Sequence, residues 1–328
     1  MKNIQADIKS GNFKQVYLLY GEEAYLKQQY KQNLVKALNP DGDTVNFNHY
    51  EGKGIDVKQL IDLCETMPFF AERRVVLLED TGFFKNKCEE LADYMKELPD
   101  YLYLVFAETE VDKRNRMYKA VKSCGSIAEF IRQDEKTLMR WAAGILGKAG
   151  KKITQRDMEL LLTKTGTDMG NLRMEMEKLI SYTEGRDVVT AEDIEEICTT
   201  QTTNRIFDMV RAVTEKNQKR ALELYYDLLT LKEPPMRILF LLAKQYRQLL
   251  LAKQFAAAGL AQTEIASKLG VPGFVVKNIT TCARAYTISE LEQAVKDFVD
   301  AEESVKTGRL EDKLSVELLI IKYSSKVK

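Results

Sequence analysis

The run Val16-Tyr-Leu-Leu-Tyr20 leads into Gly21-Glu-Glu-Ala-Tyr-Leu26, the strand-to-helix step at which a nucleotide-hydrolysing α/β protein carries its phosphate loop. Such a loop reads GxxxxGK[ST]: glycines admit the phosphates, lysine meets the β and γ phosphates, and Ser or Thr holds magnesium. Here there is one glycine, Gly21, no Gly-Lys-Ser/Thr, and Glu22 and Glu23 stand where the anion would sit. Two carboxylates at a helix N-terminus answer its dipole themselves and repel a triphosphate. The turn is expected to bind no nucleotide, and an ATPase with an irregular phosphate loop remains as an alternative. The single histidine, His49, lies in the alternating run Val45, Phe47, His49 and is expected to pack on a strand face rather than catalyse. Five scattered cysteines (Cys64, Cys88, Cys124, Cys198, Cys282) form no CxxC, so neither a disulfide framework nor a zinc site is expected. A reducing cytoplasm fits them, and no cofactor or metal is called for.

Three other stretches carry side chains suited to binding. Pro68 ends a helical segment after Cys64-Glu-Thr-Met67, so Phe69 and Phe70 fall in a turn or short helix before a strand at Val75. They either cap the core or protrude, and the residues alone favour capping because apolar side chains are usually inside. Asp112-Lys113-Arg114-Asn115-Arg116 is a charged loop after the fourth apolar run, read either as a solvated helix start capped by Asp112 or as a subunit contact. Residues 262–284 resemble a helix-turn-helix, Thr263 to Gly270 followed by Pro272 to Ala283, which is often DNA-binding. The second helix offers few side chains suited to base edges, so tight helix packing is the expected role. Lys219, Arg220, Lys244, Arg247 and Lys253 are by default a solvated face, with nonspecific phosphate steering as the functional alternative.

The elements that must position these residues divide the 328-residue chain, which is longer than one core usually serves. Val16–Tyr20, Thr44–Tyr50, Arg74–Glu79, Tyr101–Ala107 and Ser126–Phe130 are short β-branched and aromatic runs separated by helical patterns. That alternation predicts crossover connections and a mostly parallel, doubly covered sheet. After Phe130 the strand signal stops and helical periodicity takes over. Asp168 is expected to open one helix and Gly185 to close it, Thr190 with Asp193 forms a capping box, and Pro234-Pro235 marks a helix start. The expected division is 1–140 (α/β), 141–204 (small helical domain) and 205–328 (larger helical domain). Basic and acidic residues number 21 and 23, 8 and 11, and 20 and 15 in these parts, so any nucleic-acid contact would lean on the last. Met1 to Gly11 holds no long apolar run and no membrane span is expected.

An α/β nucleotide-binding shape with a disabled phosphate loop and two helical domains behind it resembles the delta subunits of bacterial DNA polymerase III clamp loaders, within the AAA+ clamp-loader family. The resemblance is carried by Val16–Leu26, Met67-Pro-Phe-Phe-Ala-Glu-Arg-Arg-Val-Val-Leu-Leu78, Val111–Lys119, and Leu269–Lys277 with Lys306-Thr-Gly-Arg309. It implies an AAA+-like N-terminal domain, a helical lid and a C-terminal helical collar. It also implies a noncatalytic subunit that binds and opens the β sliding clamp for loading onto primed DNA. Its partners would be the ATPase (tau/gamma) and delta-prime subunits, with nonspecific contact to primed DNA. Met67, Pro68, Phe69 and Phe70 match the family's hydrophobic clamp-binding element, where many members show Leu-Phe. A stand-alone helix-turn-helix DNA-binding regulator is the rival reading.

Overall fold

The computed structural model describes residues 2–199 and 202–325, and the side chains of Lys2, Thr202, Thr203, Asn204 and Phe274 lie outside the description. The first compact unit runs to Gln133. Its elements are α1 (Lys2–Ser10), β1 (Val16–Tyr20), α2 (Ala24–Leu38), β2 (Phe47–Glu51), α3 (Val57–Glu65), β3 (Arg74–Glu79), α4 (Glu89–Tyr94), β4 (Leu102–Glu108), α5 (Arg116–Cys124) and β5 (Ser126–Glu129). The five strands form one parallel sheet in the order β2-β3-β4-β1-β5. Parallel strands need crossover helices, and these cover both faces, so the central strands are continuous apolar runs instead of alternating ones. One face buries Leu18, Val76, Leu78, Leu104 and Phe106 against α3, α4 and α5 residues, and the other buries Tyr17, Leu19, Val75 and Val105 with Leu34 and Leu38 of α2. This is the doubly covered parallel sheet that the alternation of strand and helix patterns predicts.

Four of the five expected strands lie close to their predicted positions, but β2 starts three residues later than the run Thr44–Tyr50 suggested. The Asp43 carboxylate accepts the backbone N–H groups of Val45 (2.7 Å) and Asn46 (3.3 Å), which closes a local turn in place of extended pairing. His49 is on the exposed side of this strand, with Nε2 2.9 Å from a Glu79 carboxylate oxygen.

The second unit begins at Asp134, whose carboxylate accepts the Thr137 N–H and caps α6 (Glu135–Lys148). β6 (Lys152–Ile153), α7 (Gln155–Thr165), α8 (Met169–Tyr182), β7 (Val188–Val189) and α9 (Ala191–Ile197) follow. Then come α10 (Thr202–Thr214), α11 (Gln218–Thr230), α12 (Pro235–Ala257), α13 (Gln262–Leu269), α14 (Gly273–Ala283), α15 (Ile288–Lys306) and α16 (Asp312–Ser324). Asp168 and Thr190 sit at the N-caps expected of them, Thr190 in a complete capping box with Asp193, and Pro234 precedes α12. The expectation of helices alone needs one correction: β6 and β7 pair in parallel over two residues each, too short a run to register as periodicity. The unit holds two separate apolar cores, one from Ala142 to Cys198 and one from Ile206 to Ile320.

Candidate functional site

The turn after α3 is built around two buried polar side chains. Because β2 and β3 pair with Phe47 opposite Val75, Asn46 and Arg74 lie beside each other where the two strands begin, and the Val75 N–H donates to the Asn46 carbonyl at 2.9 Å. Asn46 is 3% exposed and Arg74 5%. The Asn46 amide grips the Phe69 backbone at both ends: its Oδ1 accepts the Phe69 N–H at 2.7 Å and its Nδ2 donates to the Phe69 carbonyl at 2.9 Å. Nδ2 also donates to Asp43 at 2.5 Å, and this bond, with the Val45 N–H, holds the Asp43 carboxyl below its ordinary range. The Arg74 guanidinium donates to the carbonyls of Thr66 (2.8 Å) and Met67 (3.3 Å) and to the Asn48 amide oxygen (3.2 Å). An arginine fork can satisfy several carbonyls from one buried position, which a lysine cannot do in the same geometry.

On the outer side of this turn the aromatic pair is displayed. Phe69 is 66% and Phe70 95% exposed, with ring centroids 4.5 Å apart in an edge-to-face arrangement, and Met67 is exposed beside them. Of the two readings open to the sequence, capping the core and protruding, the structure shows protrusion. Phe70 has φ +52°, a left-handed conformation that costs a bulky residue about 1–3 kcal/mol. Such strain persists only where the surroundings impose it, and the Asn46 side chain bonds both backbone groups of the preceding residue, Phe69. A groove of about 580 Å³ opens next to Phe70, lined by Asp43, Asn46, Arg73 and Val75 among others.

The opposite edge of the sheet, outside the C-terminal ends of the strands, is where doubly wound folds take ligands. Only Gly21, Glu22 and Glu23 separate β1 from α2. The Glu23 N–H donates to the Phe130 carbonyl (3.0 Å) and the Phe130 N–H to the Tyr20 carbonyl (2.7 Å). Gly21 has φ +123°, and a Cβ there would lie 2.3 Å from the Phe130 carbonyl oxygen. Its glycine character thus serves close approach of two backbones. Glu23 is buried at the α2 N-cap, and Glu22 faces Arg132 at 3.6 Å. Two lysines of α2 reach across the neighbouring strand ends: Lys31 Nζ lies 2.6 Å from the Glu79 carboxylate, and Lys27 Nζ donates to the Glu108 carbonyl at 2.9 Å. Burial pushes the Lys27 ammonium pKa down and the Glu108 carboxyl pKa up, although Glu108 accepts from Thr81 and Gly82.

The remaining sequence candidates are not gathered into one site. In the charged loop, Asp112 accepts from the Arg114 backbone and guanidinium, and Lys113 pairs with Glu129 at 2.8 Å. The cap of α5 is Asn115, whose side chain accepts the Met117 N–H, and not Asp112 as the sequence suggested. Asp112 is spent on Arg114, three residues too early to reach the helix. Lys219 and Arg220 lie exposed at the start of α11, Arg220 paired with Glu223 at 3.3 Å. Lys244 and Arg247 are exposed on α12, but Lys253 donates to the Ala283 carbonyl (2.9 Å) at the end of α14. The helix-turn-helix forms as α13, a left-handed Gly270 and α14, yet Val276, Ile279, Cys282 and Ala283 of α14 are buried in the larger helical core. Asn46 and Arg74 carry no local signal as site residues, since the backbone that Asn46 holds is 23 residues away.

Comparison with known proteins gives one family. Residues 17–130 match the model of the DNA polymerase III delta subunit, and residues 203–323 match the model of its C-terminal domain. The chain is 26% identical over 332 residues to DNA polymerase III subunit delta of Bacillus subtilis (strain 168), covering 97% of this chain and 95% of that protein. It is 22% identical over 276 residues to the probable DNA polymerase III subunit delta of Aquifex aeolicus, covering 80% and 77%. The solved Bacillus subtilis DNA clamp loader delta protein superposes with a TM-score of 0.67 at 24% identity over 99% of both chains. With models of both parts of this family matching in order, and relatives aligned along nearly its whole length, the chain belongs to the DNA polymerase III delta subunit family.

Proposed function

We propose that this subunit grips the β sliding clamp through Phe69 and Phe70, with Met67 and Pro68 shaping the turn, and that it does so without hydrolysing ATP. The observation that carries the reading is the displayed aromatic pair on a turn tied down by Asn46 and Arg74. Two adjacent rings bury large area at the cost of few side-chain torsions, which suits them to anchor in an apolar pocket. A subunit shifts a closed ring toward an open one only by binding the open form more tightly, so the contact must be state-selective. ATP would act in the tau/gamma partners, and the helices of 205–328 would join those subunits and delta-prime in a collar, with primed DNA enclosed beneath it. The closed turn at Gly21 and the lysines of α2 support a chain that takes no nucleotide of its own. The outward face of α14, with Lys277 and Thr281, offers few groups suited to base edges, which weighs against a stand-alone DNA-binding regulator.

The test is a titration of the β sliding clamp of the same organism with the parent chain and with Phe69→Ala, Phe70→Ala. Anchors of this kind cost about 2–4 kcal/mol on truncation, so binding should weaken roughly 30-fold to 1000-fold. Since both rings face outward, the melting temperature should hardly move. A variant that binds the clamp as tightly as the parent would sink the assignment.

A further inference from the structure

We propose that Asn46 and Arg74 are positioning residues of the clamp contact, holding the 66–70 turn in its binding conformation before the clamp arrives; this rests on the clamp-binding reading of Phe69 and Phe70. Asn46 does with its side chain what a neighbouring strand would do with its backbone. It accepts from Phe69 N–H and donates to Phe69 C=O, at 2.7 and 2.9 Å, from a buried site. Arg74 fixes the two carbonyls just upstream, those of Thr66 and Met67. Between them the backbone is held on both sides of Pro68, and Phe70 is kept at φ +52°, which a free phenylalanine would seldom adopt. Released from these bonds, the turn would spread over many conformers, and the apparent dissociation constant would rise in inverse proportion to the competent fraction. A residue whose role is stability alone leaves the affinity of the still-folded protein unchanged, and that difference separates the two roles.

The experiment uses full-length Asn46→Ala, with Arg74→Lys as a second variant that keeps the buried charge and loses the fork. Backbone amide exchange and the kinetics of binding to the β sliding clamp are both measured well below each variant's melting temperature. We expect the Phe69 amide to lose protection while amides of the central strands β1 and β4 keep theirs. Clamp affinity should fall roughly 10-fold to 100-fold, as it would if the competent fraction dropped to between about 10% and 1%. The loss should lie mainly in the association rate, because binding then waits on a conformational change. A deprotected Phe69 amide with unchanged clamp affinity would overturn the proposal, as would a Phe69 amide that stays protected in both variants. Failure of the underlying reading has a different signature: Phe69→Ala, Phe70→Ala would bind as the parent does, whatever the exchange data show.

Discussion

Two residues with positive φ, Gly21 at +123° and Phe70 at +52°, show how such backbone serves different ends. At Gly21 the reason is steric, since the Phe130 carbonyl occupies the space a Cβ would need. Gly21→Ala is therefore expected to destabilise the protein by at least about 1–3 kcal/mol, read as a drop in the denaturant midpoint. An unchanged midpoint would mean that the close approach to Phe130 is not what requires glycine. At Phe70 the conformation follows directly on Phe69, whose backbone N–H and carbonyl are both bonded by the Asn46 side chain. The aromatic pair itself was legible in the sequence because proline followed by two phenylalanines must form a connection. Whether it faced in or out was not written beside it: Asn46 bonds Phe69 and Arg74 bonds Thr66 and Met67, contacts set by strand register that leave no local pattern. The cysteines are a simpler case. Burial pushes Cys64 and Cys198 up to about 12 and also raises Cys88, Cys282 and Cys124, so the five differ by access: Cys124 alone is exposed. Native-state titration with a thiol reagent should find one fast group, Cys124, and the other four only on unfolding. A second thiol reacting at a similar rate would contradict the burial.

Helix α2 is the element that most changes the character of the edge at the C-terminal ends of the strands, because it places Lys27 and Lys31 over the ends of β3 and β4. The Lys31–Glu79 pair is largely buried, so Lys31→Met leaves a carboxylate with His49 as its other close partner. Loss of a charged hydrogen bond of this kind should cost about 1.5–3 kcal/mol, measured by chemical denaturation; no loss would mark the pair as neutral on balance. Glu108 adds a pH dependence. Its pKa is raised by burial above the ordinary 4.5, so its stabilising contribution is complete below that value and is lost as pH rises through the folded-state value. The stability of Glu108→Gln relative to the parent should accordingly increase between pH 4 and pH 7. A flat or falling difference would contradict the direction of the shift. At this scale much was legible: strand runs spaced by helices specified the crossover sheet, and the Thr190–Asp193 box and Pro234-Pro235 marked helix starts. What escaped were features decided by competition between local bonds, such as the Asp43 turn that delays β2, and the β6–β7 pair, whose two-residue strands carry no period.

For the whole molecule, the proposed function needs two surfaces that fail independently. The aromatic turn is on the unit ending at Gln133, and the assembly surface is assigned to the helices after residue 204. Helix α16 suggests where that second surface lies. Val316, Leu319 and Ile320 are buried in the larger helical core, while Leu314 and Leu318, one turn apart, face outward among the charged Lys313, Glu317 and Lys322. A second apolar strip on the side away from the core is a natural seat for a partner helix. Tyr226 of the adjoining α11 is also exposed, and its hydroxyl donates to Glu317 at 2.6 Å, which sets it beside this stripe. Replacing Leu314 and Leu318 by Asp puts charge where a partner helix would pack, and because the two side chains are 43% and 48% exposed the cost to the folded monomer should stay near about 1 kcal/mol per site. The double variant is expected to lose co-elution with the tau/gamma ATPase subunits while still binding the β sliding clamp. Phe69→Ala, Phe70→Ala should do the reverse, keeping assembly and losing the clamp. A Leu314→Asp, Leu318→Asp protein that still assembles would place the collar contact elsewhere, and one that loses both activities with an unchanged melting temperature would show that the two surfaces are not independent.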